Sequence, residues 1–288
     1  MPITVPDALD QHGAMATTKA GAARDLPRYL WSSALAGAYV GVAVVLLISV
    51  SAPLVAAGSP AAKLVQGAVF GVALTLVVFA GAELFTGNAM VMAQGWWSRR
   101  ARPRDVALVL AASLVGNAVG SVLFAAAVHG GGTLRGAGAD LVASLTAGKD
   151  ALAGPQLFWR AVLCNALVCL AVWMATRATS DGAKLVVLWW ALLAFIGSGF
   201  EHSIANMTVF ALGALDGASS WAALGRNLLW TVPGNVVGGG LVIGLGYAWM
   251  GARRAPAPAP AGSSAVVDTT HVGDVTDVTE ALAPAGRA

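Results

Sequence analysis

The chain alternates between long apolar runs and short polar stretches. The apolar runs cover residues 30–50, 63–92, 106–128, 157–176, 184–210 and 228–250. A helix that crosses the hydrocarbon core of a bilayer needs about 20 mostly apolar residues. The pattern therefore predicts an all-α membrane protein with six transmembrane helices. The second and fifth runs are too long for one simple span. Polar residues interrupt both, in "ELFTGN" (83–88) and "EHSIAN" (201–206). Helices 2 and 5 are expected to break there.

A shift of 118 residues superimposes the two halves. Gly81 falls on Gly199, Glu83 on Glu201 and Asn88 on Asn206, and further on Gly116, Asn117 and Gly120 fall on Gly234, Asn235 and Gly238. A GxExxxxN pattern is thus followed at one fixed distance by GNxxG in each half. Three spans per half means that the halves enter the membrane in opposite senses, giving two inverted three-helix repeats about a pseudo-two-fold axis in the membrane plane. The two interruptions are then expected to meet near mid-membrane. Backbone that leaves the helix at that depth must be buried in protein or line a wet cavity. Freed helix N-termini there favour an anion.

Composition agrees with a membrane setting. Hydrophobic residues make up 57% of the chain and charged residues only 11%, against about 25% charged in soluble domains. The net charge of +3 is not arranged as a nucleic-acid patch. Eleven Lys and Arg, Lys19, Arg24, Arg28, Arg99, Arg100, Arg102, Arg104, Arg177, Lys184, Arg253 and Arg254, fall on one set of segments; five, Lys63, Arg135, Lys149, Arg160 and Arg226, fall on the alternate set. The richer set belongs in the cytoplasm, so both termini are expected there. Three regions follow: an N-terminal cytoplasmic segment (1–27), a six-helix pore domain (28–252) and a Pro/Ala-rich C-terminal tail (253–288) read as disordered. The first residues, with Asp7, Asp10, Lys19, Arg24 and Asp25, lack a basic-then-apolar pattern, so no signal peptide is expected and the first run is expected to stay as an anchor.

Few residues carry chemistry. His12 and His271 lie in the tails and His129 at a helix end, all three expected to be solvated. His202 sits inside the fifth apolar run, where an ionisable group is expensive and marks a functional site by default. Glu83 and Glu201 would repel an anion, so they are expected to turn away from its path and to cap freed amides or pair with polar groups. Thr86 serves local hydrogen bonding at the first break or faces the path. Asn165 and Asn235 suit helix–helix hydrogen bonds. Lys149, expected in a loop before the fourth span, could concentrate anions at an entrance. Phe70, Leu74, Leu84, Phe85, Val168 and Phe195 are candidates for apolar constrictions, though each also suits packing. Cys164 and Cys169 are five apart and read as small buried side chains. Catalytic triads, phosphate loops and metal-binding helices are missing, so neither an enzyme nor a cofactor is expected.

The segments "GAELFTGNAM", "LCNALVCLAVWMA", "AFIGSGFEHSIANM" and "PGNVVGGG" resemble the formate/nitrite transporter family, and "WSSALAGAYVGVAVVL" with "NLLWTVPGN" resembles its bacterial nitrite branch most. The resemblance spans all six runs. It implies an aquaporin-like fold and a homopentamer in the bacterial inner membrane, with one pore per subunit. It implies a central His202 with Thr86 and Asn235 in its hydrogen-bond network, an outer Lys149, and matching positions for Glu201 and Asn165. Phe70, Leu74 and Phe195 would form one constriction; Leu84, Phe85 and Val168 would lie near another. The implied function is passage of small monovalent anions, chiefly nitrite, by a channel or by proton coupling. A formate or short-monocarboxylate channel is the nearest alternative; a water or neutral-solute pore is another.

Overall fold

The computed structural model describes residues 1–251; the expected C-terminal tail and His271 lie outside them. Among the described residues every regular element is helical. In chain order they are α1 (Val5–Ala22), α2 (Leu26–Ala56), α3 (Ala62–Phe70), α4 (Val72–Phe79), α5 (Phe85–Trp97), α6 (Pro103–Gly130), α7 (Ala137–Asp150), α8 (Gly154–Arg177), α9 (Asp181–Gly197), α10 (Ser203–Leu215) and α11 (Trp221–Val236). A π-helical stretch, Val237–Leu245, then leads into α12 (Gly246–Met250). Among the described residues five helical stretches are long and apolar enough to cross a membrane: Leu26–Ala56, Ala62–Phe79, Pro103–Gly130, Gly154–Arg177 and Trp221–Met250. The protein is a multi-pass membrane protein. Ser180 and Ser220 start α9 and α11 by accepting from the amides of Ala183 and Ala223, which satisfies N–H groups no helix can satisfy for itself.

The GNxxG motifs set the closest helix contacts. Gly120 on α6 lies against the Ala34 carbonyl of α2, and Gly238, 118 residues on, lies against the Val162 carbonyl of α8; a Cβ at either glycine would collide with that oxygen. Small residues that let backbones touch are the means of packing in lipid, where apolar burial offers little between helices.

Helical structure stops at residues 80–84 and again at 198–202. Gly81 and Gly199 take left-handed φ values of 75° and 72°, a conformation that costs glycine nothing. The apolar run 63–92 is thereby divided among α3, α4 and α5, and 184–210 between α9 and α10.

Two expectations need correcting. Lys149 does not lie in a loop; it occupies the last turn of α7. His12 is not solvated: it is 0% exposed. Residues Ala8, His12, Gly13, Ala16 and Ala20 form the buried face of α1, which packs on α5, α6 and α8. The i, i+4 stripe of alanines around His12 is a helical signal that the charges of the segment obscured. His12 Nδ1 lies 2.6 Å from Gln94 Oε1, its Nε2 lies 2.8 Å from Thr176 Oγ1, and its ring meets Trp173 edge-on. His129 is partly exposed and pairs with Asp216 at 2.6 Å.

Candidate functional site

Each interruption is held by one asparagine side chain. Asn117 donates to the Ser33 and Glu83 carbonyls and accepts from the Phe85 amide. Asn235 donates to the Ala161 and Glu201 carbonyls and accepts from the Ser203 amide. The primary amide, with two donors and one acceptor, thereby satisfies the carbonyl and the amide on either side of the gap, which no helical turn serves there, and its second donor ties them to a carbonyl of the neighbouring helix. This explains why asparagine recurs in GNxxG.

The carboxylates belong to matching clusters. Lys149 Nζ donates to both Glu201 oxygens at 2.9 and 2.8 Å, and Asn206 donates to one of them at 2.7 Å. Lys19 Nζ donates to both Glu83 oxygens at 2.8 and 2.7 Å, with Asn88 and Tyr29 donating as well. Lys19 escaped the sequence reading because it sits 130 residues before Lys149 and not 118, outside the register of the repeat. The usable signal was its place near the end of an amphipathic helix just ahead of an apolar run.

Two cavities of about 400 and 410 Å³ flank these clusters. The first is lined by Lys149, Glu201 and His202 and also by Lys63 and Arg160. The second is lined by Lys19, Glu83 and Asn88 and also by Lys184. Between them lies a void of only about 10 Å³, walled by Phe70, Leu74, Leu84, Val168, Phe195 and His202 together with Val40, Ala73 and Leu192. Phe70, Phe195 and His202 border both the first cavity and this void; Leu74 and Leu84 border both the second cavity and the void. Phe70 and Phe195 meet edge to face with centroids 5.6 Å apart, and Phe195 stacks on the His202 ring at 5.9 Å.

Among the described residues His202 is the one polar side chain in that waist. It stands 118 residues after Leu84, so the repeat places imidazole in one half where the other has an aliphatic chain. Both residues are N-caps, of α10 and α5. Nδ1 of His202 accepts from the Ala205 amide at 3.2 Å, and Nε2 lies 3.2 Å from Thr86 Oγ1. Because Nδ1 is an acceptor, the proton of the neutral ring sits on Nε2 and points to Thr86.

The remaining candidates sit behind this wall. Thr86 is fully buried and reaches the waist only through the imidazole. Asn165 donates to the Thr86 and Asn235 carbonyls, tying α5, just past the first interruption, to the α11 turn whose asparagine holds the second, and Cys169 Sγ also donates to the Thr86 carbonyl. Asn235 does not bond the imidazole; it fixes the backbone on either side, at Glu201 and Ser203. Phe85 is buried but is not part of the waist. Among the described residues no group of His, Cys, Asp and Glu could hold a metal ion.

Comparison with known proteins agrees with this architecture. The formate/nitrite transporter family profile matches residues 8–249. The chain is 42% identical to the nitrite transporter NirC of Salmonella typhimurium over 260 residues, covering 88% of this chain and 95% of that one. It is 41% identical to a probable formate transporter of Methanothermobacter thermautotrophicus over 234 residues, covering 75% and 85%. Among solved structures, an FNT family ion channel aligns with a TM-score of 0.79 at 40% identity, over 85% of this chain and 98% of the other. A pentameric formate channel with formate bound aligns with a TM-score of 0.65 at 27% identity, over 79% and 97%.

Proposed function

This chain belongs to the formate/nitrite transporter family, and from that membership we propose that it passes small monovalent anions, chiefly nitrite, across the bacterial inner membrane. The path runs through each subunit from one cavity to the other. The observation that carries this reading is the apolar waist between two charged cavities, with His202 its single polar side chain.

The architecture we propose is six spans in two inverted three-helix repeats, with α3–α5 and α9–α10 as the broken second and fifth spans. Both termini lie in the cytoplasm, so the cavity at Lys19 faces inward and that at Lys149 outward. Likeness to the pentameric formate channel supports a homopentamer.

Passage follows from electrostatics. Three cations, Lys63, Lys149 and Arg160, face the single carboxylate Glu201 at the outer cavity, and the excess positive potential draws anions in. Glu201 holds Lys149 in place and is itself neutralised, so it does not repel the substrate. Phe70 and Phe195 strip water. An unpaired anion in such a place is costly, which excludes strongly hydrated and multivalent ions. The imidazole then offers its Nε2–H in exchange for the Thr86 bond. A proton taken up from the outer solution would make the ring an imidazolium, and its transfer from Nε2 to the anion would give the neutral acid and restore a neutral ring; the acid crosses Leu74, Leu84 and Val168 without that cost and releases its proton to the inner solution, where Lys19 and Lys184 receive the anion.

Flux of nitrite, nitrate and formate into liposomes holding the purified protein, measured across pH, tests the reading. Nitrite flux exceeding nitrate flux and rising as the outside is acidified is the expected outcome. Formate outrunning nitrite would favour the formate reading, to which the 41% identical archaeal relative lends weight. Water flux without anion flux would end both.

A further inference from the structure

A third cavity, of about 630 Å³, lies away from the path and is lined by Arg24, Arg99, Arg100, Arg102 and Arg104 with Asp105 and one edge of α1. A surplus of positive charge on one face is expected of any multi-pass protein, but that surplus is ordinarily spread and solvated. Here five arginines line one hollow. Arg100 pairs with Asp10 at 3.2 Å. Asp105 is engaged in capping α6, where its carboxylate accepts from the Arg102 amide. Among the described residues no carboxylate forms an ion pair with Arg24, Arg99, Arg102 or Arg104.

Two further observations point to the occupant. Arg99 is held at φ 58°, the sole non-glycine residue at positive φ among those described; so large a side chain takes that conformation at a cost. Trp96 and Trp97, immediately before it, are about half exposed. Exposed tryptophans of membrane proteins collect at the headgroup layer, which puts the arginine hollow at the level of lipid phosphates. Guanidinium forks match phosphate oxygens in pairs.

We infer that this hollow is a binding site for the phosphate headgroup of an anionic phospholipid. The lipid bridges α1 to the α5–α6 turn and α6, so it fastens the N-terminal helix to the bundle from the membrane side. The inference goes beyond the transport reading and stands without it, because its test reads lipid retention and not flux.

The full-length protein in detergent is titrated with phosphatidylglycerol and, separately, phosphatidylcholine, with bound lipid counted by native mass spectrometry. Phosphatidylglycerol should be retained and phosphatidylcholine not. Each arginine near a lipid surface contributes about a factor of five, so Arg99→Gln/Arg102→Gln/Arg104→Gln should bind roughly a hundredfold more weakly. Arg99→Gly guards against misfolding, since glycine suits the left-handed backbone: its melting temperature should hold or rise while the lipid weakens about fivefold. Arg28→Gln, at a surface arginine outside the hollow that is 89% exposed, should bind as the parent does. Retention unchanged in the triple variant, an equal loss in Arg28→Gln, or displacement of the lipid by millimolar inorganic phosphate would each overturn the inference.

Discussion

His202 Nε2 and Thr86 Oγ1 lie 116 residues apart in the chain and 3.2 Å apart in space. The bond joins α10 to α5, the two helices that restart after an interruption. Its donor belongs to the only polar side chain among the described residues that lines the waist, while its acceptor is fully buried. An anion that takes the Nε2–H displaces a weak partner and leaves the hydroxyl free to turn.

Replacing His202 by Asn keeps a competent N-cap but removes the ring proton. The protein should fold with a melting temperature close to that of the parent. Anion flux should fall by about a hundredfold, as for loss of a proton-transfer group, and its pH dependence should vanish. Flux measured in liposomes between acid and neutral pH decides this, and an unaltered pH profile would remove the imidazole from the mechanism.

Lys149 and Glu201 should be separable by a double substitution. Lys149→Met leaves the buried Glu201 carboxylate unpaired and should destabilise the protein by about 3–5 kcal/mol. Adding Glu201→Gln should recover most of that stability but not anion entry at low concentration. Thermal unfolding and concentration-dependent flux report the two effects separately.

Asn235→Ala removes three bonds at once and leaves the Glu201 carbonyl and the Ser203 amide without partners, while the Ala161 carbonyl, inside α8, loses its second donor. Each buried group so orphaned costs about 1–3 kcal/mol. We expect the melting temperature to fall sharply, and Asn117→Ala to behave alike. A mild effect at either position would mean that water replaces the side chain.

Phe195→Ala should widen the waist, since Phe195 touches both Phe70 and His202. Larger monocarboxylates such as lactate should then compete with nitrite when they do not in the parent. Competition in the uptake assay provides the measurement.

Burial holds His12 below its ordinary pKa of 6.5, outweighing the upward pull of the Gln94 hydrogen bond, and nearby Lys19 adds to the lowering. The folded state therefore prefers the neutral ring. The stability this contributes is complete above pH 6.5 and is lost as pH falls from there through the lowered folded value. The protection factors of α1 amides, exchange rates corrected for the pH dependence of the free amide, should fall across that interval, and His12→Gln should flatten the dependence.

The sequence by itself determined the apolar spans, the two interruptions and the singular His202, because hydrophobic length and polar residues within apolar runs are local properties. The 118-residue repeat also revealed that Asn117 and Asn235 hold equivalent posts. It could not show what they hold: their acceptors, the carbonyls of Ser33 and Ala161, are backbone groups with no side-chain signature, and they stand 128 residues apart, not 118. Only the packing of α6 on α2 and of α11 on α8 brought them into reach. The same holds for Lys19, whose charge acquires meaning when α1 lies against the bundle, and for His12, whose polar neighbours are 82 and 164 residues away. Which groups face a shared cavity depends on how separate helices dock, and docking is decided by contacts distributed over the whole bundle.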